Sequence, residues 1–142
     1  MKTQGAEVDK ALSLAVVAIV RRDDGRYLMV QRAPGIRAAG YWTPVSGRPE
    51  AGEALPQAAL REVAEEVGLR VVVGEELLRC QAEGGAPYFL VWYAATPVPG
   101  TDPDALCLDA AEVAQACWLT AAQAAGLTPM FDSTRRFFEE RA

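Results

Sequence analysis

Residues 47–69 read GRPEAGEALPQAALREVAEEVGL. Pro56 suits the first turn of a helix, where its missing N–H costs nothing, and Gly68 suits a left-handed stop. A helix is therefore expected from near Pro56 to Gly68. At about 100° per residue, Glu62, Glu65 and Glu66 fall within an arc of roughly 100°, while Ala59, Leu60, Val63 and Val67 project from the opposite side. One side packs and the other collects charge. Acids spaced three and four apart cost a helix roughly 0.2–0.5 kcal/mol per pair unless something positive sits among them. The ordinary fate of such a cluster is a solvated acidic face. A hard divalent cation such as Mg2+ or Mn2+ offers the alternative, because it takes oxygen ligands and keeps room for water and for substrate phosphates.

Working outward, Leu12 to Val20 is rich in Val, Ile and Leu. Asp24-Gly25 then supplies a turn, and Tyr27 to Gln31 resumes an apolar run, so the two segments read as a hairpin. The stretch from Ala33 to Gly40 is a loop that leads through Tyr41 to Pro44 into the Gly- and Pro-containing segment at 47–52. Beyond the helix, strands are expected at Leu69–Val73, Leu77–Cys80, Tyr88–Ala95 and Ala116–Leu119, with a Pro-rich loop from Pro97 to about Ala110. Thr120 is placed to cap a short helix over Ala121–Ala125, and Asp132 or Ser133 to cap a final amphipathic helix carrying Phe137 and Phe138. Strands mixed with helices imply an α/β layered domain.

A chain of 142 residues suits a single domain, 1–142, whose first ten residues are polar and expected to be a flexible N-terminal segment. Hydrophobic residues make up 51% and charged residues 23%, as in ordinary globular proteins. The apolar run at 11–20 is too short to span a bilayer, and no signal-type cleavage site follows it, so a cytoplasmic location without membrane partners is expected. A net charge of −5 argues against broad capture of a nucleic-acid polymer, so an anionic substrate must be met locally. Cys80, Cys107 and Cys117 lack CxxC spacing and read as buried or semi-buried thiols. The chain has no histidine, which removes Ser-His and Cys-His nucleophile pairs and the usual zinc ligands. General-base work falls to carboxylate, lysine, tyrosine or a metal-activated water.

Gly47, five residues, Glu53, seven residues, Arg61-Glu62, Val63, one residue, Glu65-Glu66, one residue, Gly68 and Leu69 match the Nudix box at each defined position, and in this the chain resembles a Nudix hydrolase of MutT-like type. The resemblance extends from about residue 12 to 120. It implies an α/β/α sandwich with a mixed β-sheet, a loop-helix-loop catalytic element, and hydrolysis of a pyrophosphate linkage in a nucleoside diphosphate derivative with Mg2+ or Mn2+ as cofactor. Residue by residue, it implies that Glu65 and Glu66 are the principal metal ligands, that Glu62 adds a ligand or a water-orienting base, and that the Ser46 carbonyl joins the coordination. Arg61 and Glu53 would brace the loop against the helix, an arrangement that suits the rigid guanidinium fork. Glu112, in a late loop, is a further candidate ligand or base.

Val45-Ser46-Gly47 departs from the proline and Gly-Gly pair common among relatives, and Pro44 stands one position early. A backbone carbonyl survives a change of Gly to Ser. Trp42, Tyr88, Trp92 and Trp118 read as core packing, with Trp42 also placed to flank a base or sugar. Arg32 and Arg37 read as solvated loop charges that lie near the entrance and could meet substrate phosphate. Pro87 and Tyr88 fall late for the markers of ADP-ribose or diadenosine polyphosphate enzymes, and the absence of asparagine weighs against an 8-oxo-dGTP role. The expected partner is a small nucleotide, such as a nucleoside triphosphate or a nucleotide sugar, bound by a monomer or homodimer. Two other readings stand beside this one: a nucleotide-sensing module that has lost turnover, and a prenyl diphosphate isomerase. The second calls for a nucleophilic cysteine setting that Cys80 lacks.

Overall fold

A computed structural model describes residues 13–83 and 88–142; the N-terminal segment at 1–10, the first residue of the expected opening strand and Pro87 lie outside them. The elements are β1 (Ser13–Val20), β2 (Tyr27–Arg32), β3 (Trp42–Thr43), β4 (Val45–Gly47), α1 (Leu55–Val67), β5 (Val71–Gln81), β6 (Tyr88–Pro97), β7 (Val113–Leu119), α2 (Ala121–Ala125) and α3 (Asp132–Glu139). They form an α/β/α sandwich. One sheet has the order β4-β1-β6-β5 and is mixed, because β1 and β6 run parallel while β4 and β5 pair antiparallel at its edges. The other, β3-β2-β7, is antiparallel throughout.

The unbroken apolar run of β1 follows from its place at the centre, where both faces are covered. Val16, Ala18 and Val20 face a cluster that includes Ala58, Ala59, Val63 and Val67 of α1. Val17 and Ile19 face a second cluster with Tyr27, Met29, Trp92, Phe137 and Phe138. Full burial of a side chain such as Val63 contributes about 1.5–3 kcal/mol, so the seam under α1 fixes which side of that helix is turned outward.

The first and second strands do not form the expected hairpin. The turn is present, with Gly25 N–H donating to the Arg22 carbonyl and Arg22 N–H to that of Arg26, but beyond a single bridge between Arg21 and Tyr27 the strands part into different sheets. Each apolar run has two faces to bury, and separate sheets bury both. The two strands expected at 69–80 are one strand, β5, whose register shifts at Val73/Glu76 and Glu76/Leu78 absorb the break.

Helix α1 begins beside Pro56 and ends at Gly68, which has φ +70° and donates its N–H to the Ala64 carbonyl. Two more terminal carbonyls are satisfied by the late loop: Cys107 N–H donates to Val67 and Asp109 N–H to Glu66. The packed side of α1 differs from expectation at two positions. Leu60 is exposed, whereas Glu66 is buried at the edge of the apolar seam. Cys107 is exposed, and Cys80 and Cys117 are half-buried.

Helix α2 is capped as expected, Thr120 and Gln123 forming a reciprocal capping box. Helix α3 is not capped by Asp132 or Ser133. Its N-cap is Phe131, and the free N–H groups of Asp132 and Ser133 donate to the carboxylate of Glu83, at 2.9 and 2.7 Å. A carboxylate at a helix N-terminus satisfies orphan donors and complements the helix dipole, so an acid distant in sequence has taken the local cap's place.

Candidate active site

A cavity of about 380 Å3 opens between the mixed sheet, the start of α3 and the loops around residues 32–48. Its lining includes Glu62, Ser46 and Gly47 from the box region, Glu112 from the late loop, and Arg32, Arg37 and Arg48. Trp42 does not line it; that side chain packs, half-buried, against the second core cluster.

Arg61 organises the box. Its Nε donates to Glu53 Oε2 and its Nη2 to Glu53 Oε1, each at 2.9 Å, and Nη2 also reaches the Arg48 carbonyl at 2.9 Å. Glu53 Oε1 in turn accepts the Glu50 N–H at 2.9 Å, so one guanidinium and one carboxylate tie helix to loop through side chain and backbone together. Bonding to Arg61, and next to the Glu50 N–H, holds the Glu53 carboxyl below the usual carboxylate range. Arg61 is correspondingly held in its charged form, chiefly by Glu53.

The three helix acids do not gather at one point. Glu62 and Glu66 face each other closely enough to share a proton. Glu65 is instead turned outward to Arg61 Nη1 at 3.0 Å, with more than half of its side chain exposed. Among the described residues no three acid or thiol side chains converge as a metal cage. Burial raises the Glu62 carboxyl, while burial and then the charge of Glu62 push Glu66 up to about 9. Arg61 Nη1, 3.7 Å from Glu62 Oε2, and the charge of Arg32 acting on Glu66 offset part of this, but burial outweighs them. Glu66 makes no ion pair with any described residue. Oxygen donors with a charge deficit of this kind suit a hard divalent ion.

Gly47 is required by space. A Cβ built there would land on the Glu62 carboxyl group, so the bare glycine is the floor against which that carboxylate rests. Ser46 and Gly47 lie on β4, held antiparallel to Val17 and Val16 of β1. Glu112 is brought to the cavity by its backbone: its carbonyl accepts the Ala33 N–H and its own N–H donates to the Asp109 carbonyl.

Arg32 is partly withdrawn from water, which lowers its pKa, and its Nε donates to the Arg37 carbonyl at 2.7 Å. Arg37 and Arg48 both stand over the Tyr88 ring, 5.3 and 4.5 Å from its centroid, and Arg48 also bonds the Tyr88 hydroxyl. None of these three arginines lies within ion-pair distance of a carboxylate among the described residues. Arg48, Tyr88, Glu83 and Thr134 were not foreseen as lining residues. The alternation of Tyr88, Leu90 and Trp92 along β6 could have placed that strand's contribution, since all three point to one face.

The family model for the NUDIX domain matches residues 11–140. The CTP pyrophosphohydrolase of Escherichia coli K12 is 37% identical over 70 residues, covering 49% of this chain and 52% of that protein. The dihydroneopterin triphosphate diphosphatase of the same strain is 43% identical over 67 residues, covering 46% of this chain and 43% of that protein. The chain thus spans about half the length, or less, of the curated relatives it matches. In fold it is similar to the crystal structure of a MutT protein from Methanosarcina mazei Go1, with a TM-score of 0.75 and 24% identity over 91% of each chain.

Proposed function

Because the chain belongs to the Nudix family, we propose that it is a metal-dependent pyrophosphohydrolase acting on a small nucleoside triphosphate or a related nucleoside diphosphate derivative. The observation that carries this reading is the pairing of half-buried Glu62, which lines the cavity, with buried Glu66 beside it, across from three lining arginines that have no acid partner among the described residues. Acids on one side and unpaired guanidinium groups on the other are what a polyphosphate with an attendant cation requires. The names of the relatives, one acting on CTP and the other on dihydroneopterin triphosphate, favour a triphosphate over a nucleotide sugar.

Glu62 and Glu66, with Glu65 on the same helix and the Ser46 carbonyl, are the groups that would hold Mg2+ or Mn2+. When bound, such an ion neutralises bridging phosphate oxygens and acidifies a water. The chain's own residues supply the rest. Arg61 and Glu53 hold the glycine-containing loop in register with α1. Arg32, Arg37 and Arg48 draw the phosphates in and fix their orientation, which is most of the work in phosphoryl-type transfer. One water oxygen bonds to phosphorus, one bridging P–O bond breaks, and the water's proton passes to a carboxylate, for which Glu62 and Glu112 are the candidates within the lining.

The test is turnover by wild type and by Glu66→Gln with Mg2+ and a panel of nucleoside triphosphates, ADP-ribose, diadenosine polyphosphates and nucleotide sugars. Release of nucleoside monophosphate by wild type and its loss in the variant is the expected result. Equal turnover by both would remove Glu66 from the site, and binding without turnover by wild type would favour a nucleotide-sensing module.

A further inference from the structure

Tyr88 stands at the first position of β6, paired with Ser13 of β1, and its side chain lines the cavity. No step described above uses it. The ring nevertheless gathers two positive charges. The Arg37 guanidinium carbon lies 5.3 Å from its centroid and that of Arg48 lies 4.5 Å from it, while Arg48 Nη2 donates to the Tyr88 hydroxyl. The two guanidinium carbons are therefore no further apart than those distances laid end to end. Both arginines are exposed, so without a common anchor their like charges would repel and each side chain would sample many rotamers in water. The negative face of an aromatic ring supplies that anchor by cation–π attraction.

The backbone under Arg37 is held as well. Arg32 Nε donates to the Arg37 carbonyl at 2.7 Å, Gly40 N–H to the Arg32 carbonyl at 3.0 Å, and Tyr41 N–H to the Ala38 carbonyl at 3.1 Å. Ala38 has φ +55°, a left-handed conformation that is unfavourable for alanine and persists only where its surroundings enforce it. Arg32, Arg37, Ala38, Arg48 and Tyr88 all line the cavity that also holds Glu62. A strained loop and an aromatic ring thus fix the same pair of charges in one wall.

We propose that Tyr88 is a positioning residue that ties Arg37 and Arg48 into one preformed clamp, and that the clamp takes adjacent phosphates of the substrate's polyphosphate chain. This rests on the reading of the cavity as a polyphosphate site. A chain with charge at every phosphorus engages two fixed guanidinium groups at once, without the ordering cost that two free side chains would add. Each exposed cation–π contact corresponds to about a two- to fivefold change in an equilibrium constant, so the two together correspond to about tenfold.

The experiment measures, by calorimetry in the presence of Mg2+, the binding of bis(methylene) triphosphate, an inorganic tripolyphosphate analogue whose P–C–P links resist hydrolysis. Tyr88→Leu, which removes the ring, should bind it about tenfold more weakly than wild type. Tyr88→Phe, which keeps the ring and loses the hydroxyl, should fall between the two. Arg48→Ala should weaken binding in wild type and do so much less in Tyr88→Leu, because Tyr88 acts through that arginine; a ring with a merely structural role would leave the two effects additive. Should Tyr88→Leu fail to fold, Tyr88→Phe runs the same cycle at smaller amplitude. Wild type that does not take up the analogue, a Tyr88→Leu protein that binds it as wild type does, or additive effects would each overturn the proposal. Nucleotide turnover together with unweakened binding in Tyr88→Leu would sink this inference and leave the pyrophosphohydrolase reading intact; weakened and coupled binding in a protein without turnover would do the reverse.

Discussion

Arg61 and Glu53 meet as two parallel forks, Nε to Oε2 and Nη2 to Oε1, both at 2.9 Å. The same guanidinium also bonds the Arg48 carbonyl, so the pair sets the position of the loop that follows Ser46 and Gly47 of β4 relative to the helix that carries the acids.

Arg61→Lys keeps the charge and loses the fork. A single ammonium cannot serve both Glu53 oxygens and the Arg48 carbonyl together. Turnover of a nucleoside triphosphate should fall by about tenfold to a hundredfold, the range in which small misplacements of catalytic groups act. Both partners are near the surface, so the melting temperature should change little. The sign with pH follows from the depressed Glu53 carboxyl: the contact is complete above the usual carboxylate range and is lost as pH falls through the lowered folded value. A steady-state assay paired with thermal denaturation separates positioning from stability.

Glu66 has the opposite sign. Its folded pKa of about 9 lies above its ordinary value of 4.5, so the folded protein binds more protons than the unfolded chain between those limits, and stability falls as pH rises across them. Metal-free protein should therefore lose several degrees of melting temperature from about pH 5 to about pH 9. Glu66→Gln should flatten that slope. Mg2+ at pH 8 should restore stability to wild type more than to the variant. A metal-free profile equally steep in both proteins would show that the proton sits elsewhere.

Gly47→Ala introduces a methyl group where the Glu62 carboxyl group now rests. The side chain of Glu62 has solvent to move into, so the fold should survive while the acid pair is disrupted. Turnover should fall by about a hundredfold or more, and the midpoint for Mg2+ activation should rise, with circular dichroism unchanged. Normal activation by Mg2+ would mean that Glu62 need not sit against this glycine.

Glu83→Ala removes both acceptors from the N-terminus of α3. The loss of a cap of this kind costs about 1 kcal/mol, and Glu83→Gln, which retains one acceptor, should cost less. Because Ser133 and Thr134 line the cavity just inside that terminus, Glu83→Ala should also raise KM for the nucleotide. Urea denaturation and steady-state kinetics measure the two effects.

What was legible in the sequence was whatever local chemistry decides. Pro56 and Gly68 bound the box helix because a missing N–H and a left-handed φ are properties of single residues. Thr120 announces its cap for the same reason, while the return bond from Gln123 was not read in advance. The hairpin expected around Asp24-Gly25 failed because a turn signal does not say which sheet each arm will join, and that choice was made by the second face each strand had to bury. Leu60 was placed on the packed side by helical angle alone, yet the sheet covers α1 only as far as Ala59, Val63 and Val67. In the site, helical spacing put Glu62 and Glu66 on one side and the family resemblance implied the Arg61–Glu53 brace, but neither showed the outward turn of Glu65 to Arg61. Glu83 and Arg48 were illegible because their roles depend on partners distant in the chain.

The parallel seam between β1 and β6 joins Ser13 to Tyr88, positions about 75 apart. Such a seam has no local nucleus, since ring closure over so long a stretch must come before any of its ladder bonds can form. On the ribosome, the opening strand, apolar on both sides, has no parallel neighbour until the chain through Ala95 has emerged. Folding of this molecule is thus expected to be slow and late, with its most sticky segment waiting longest for cover.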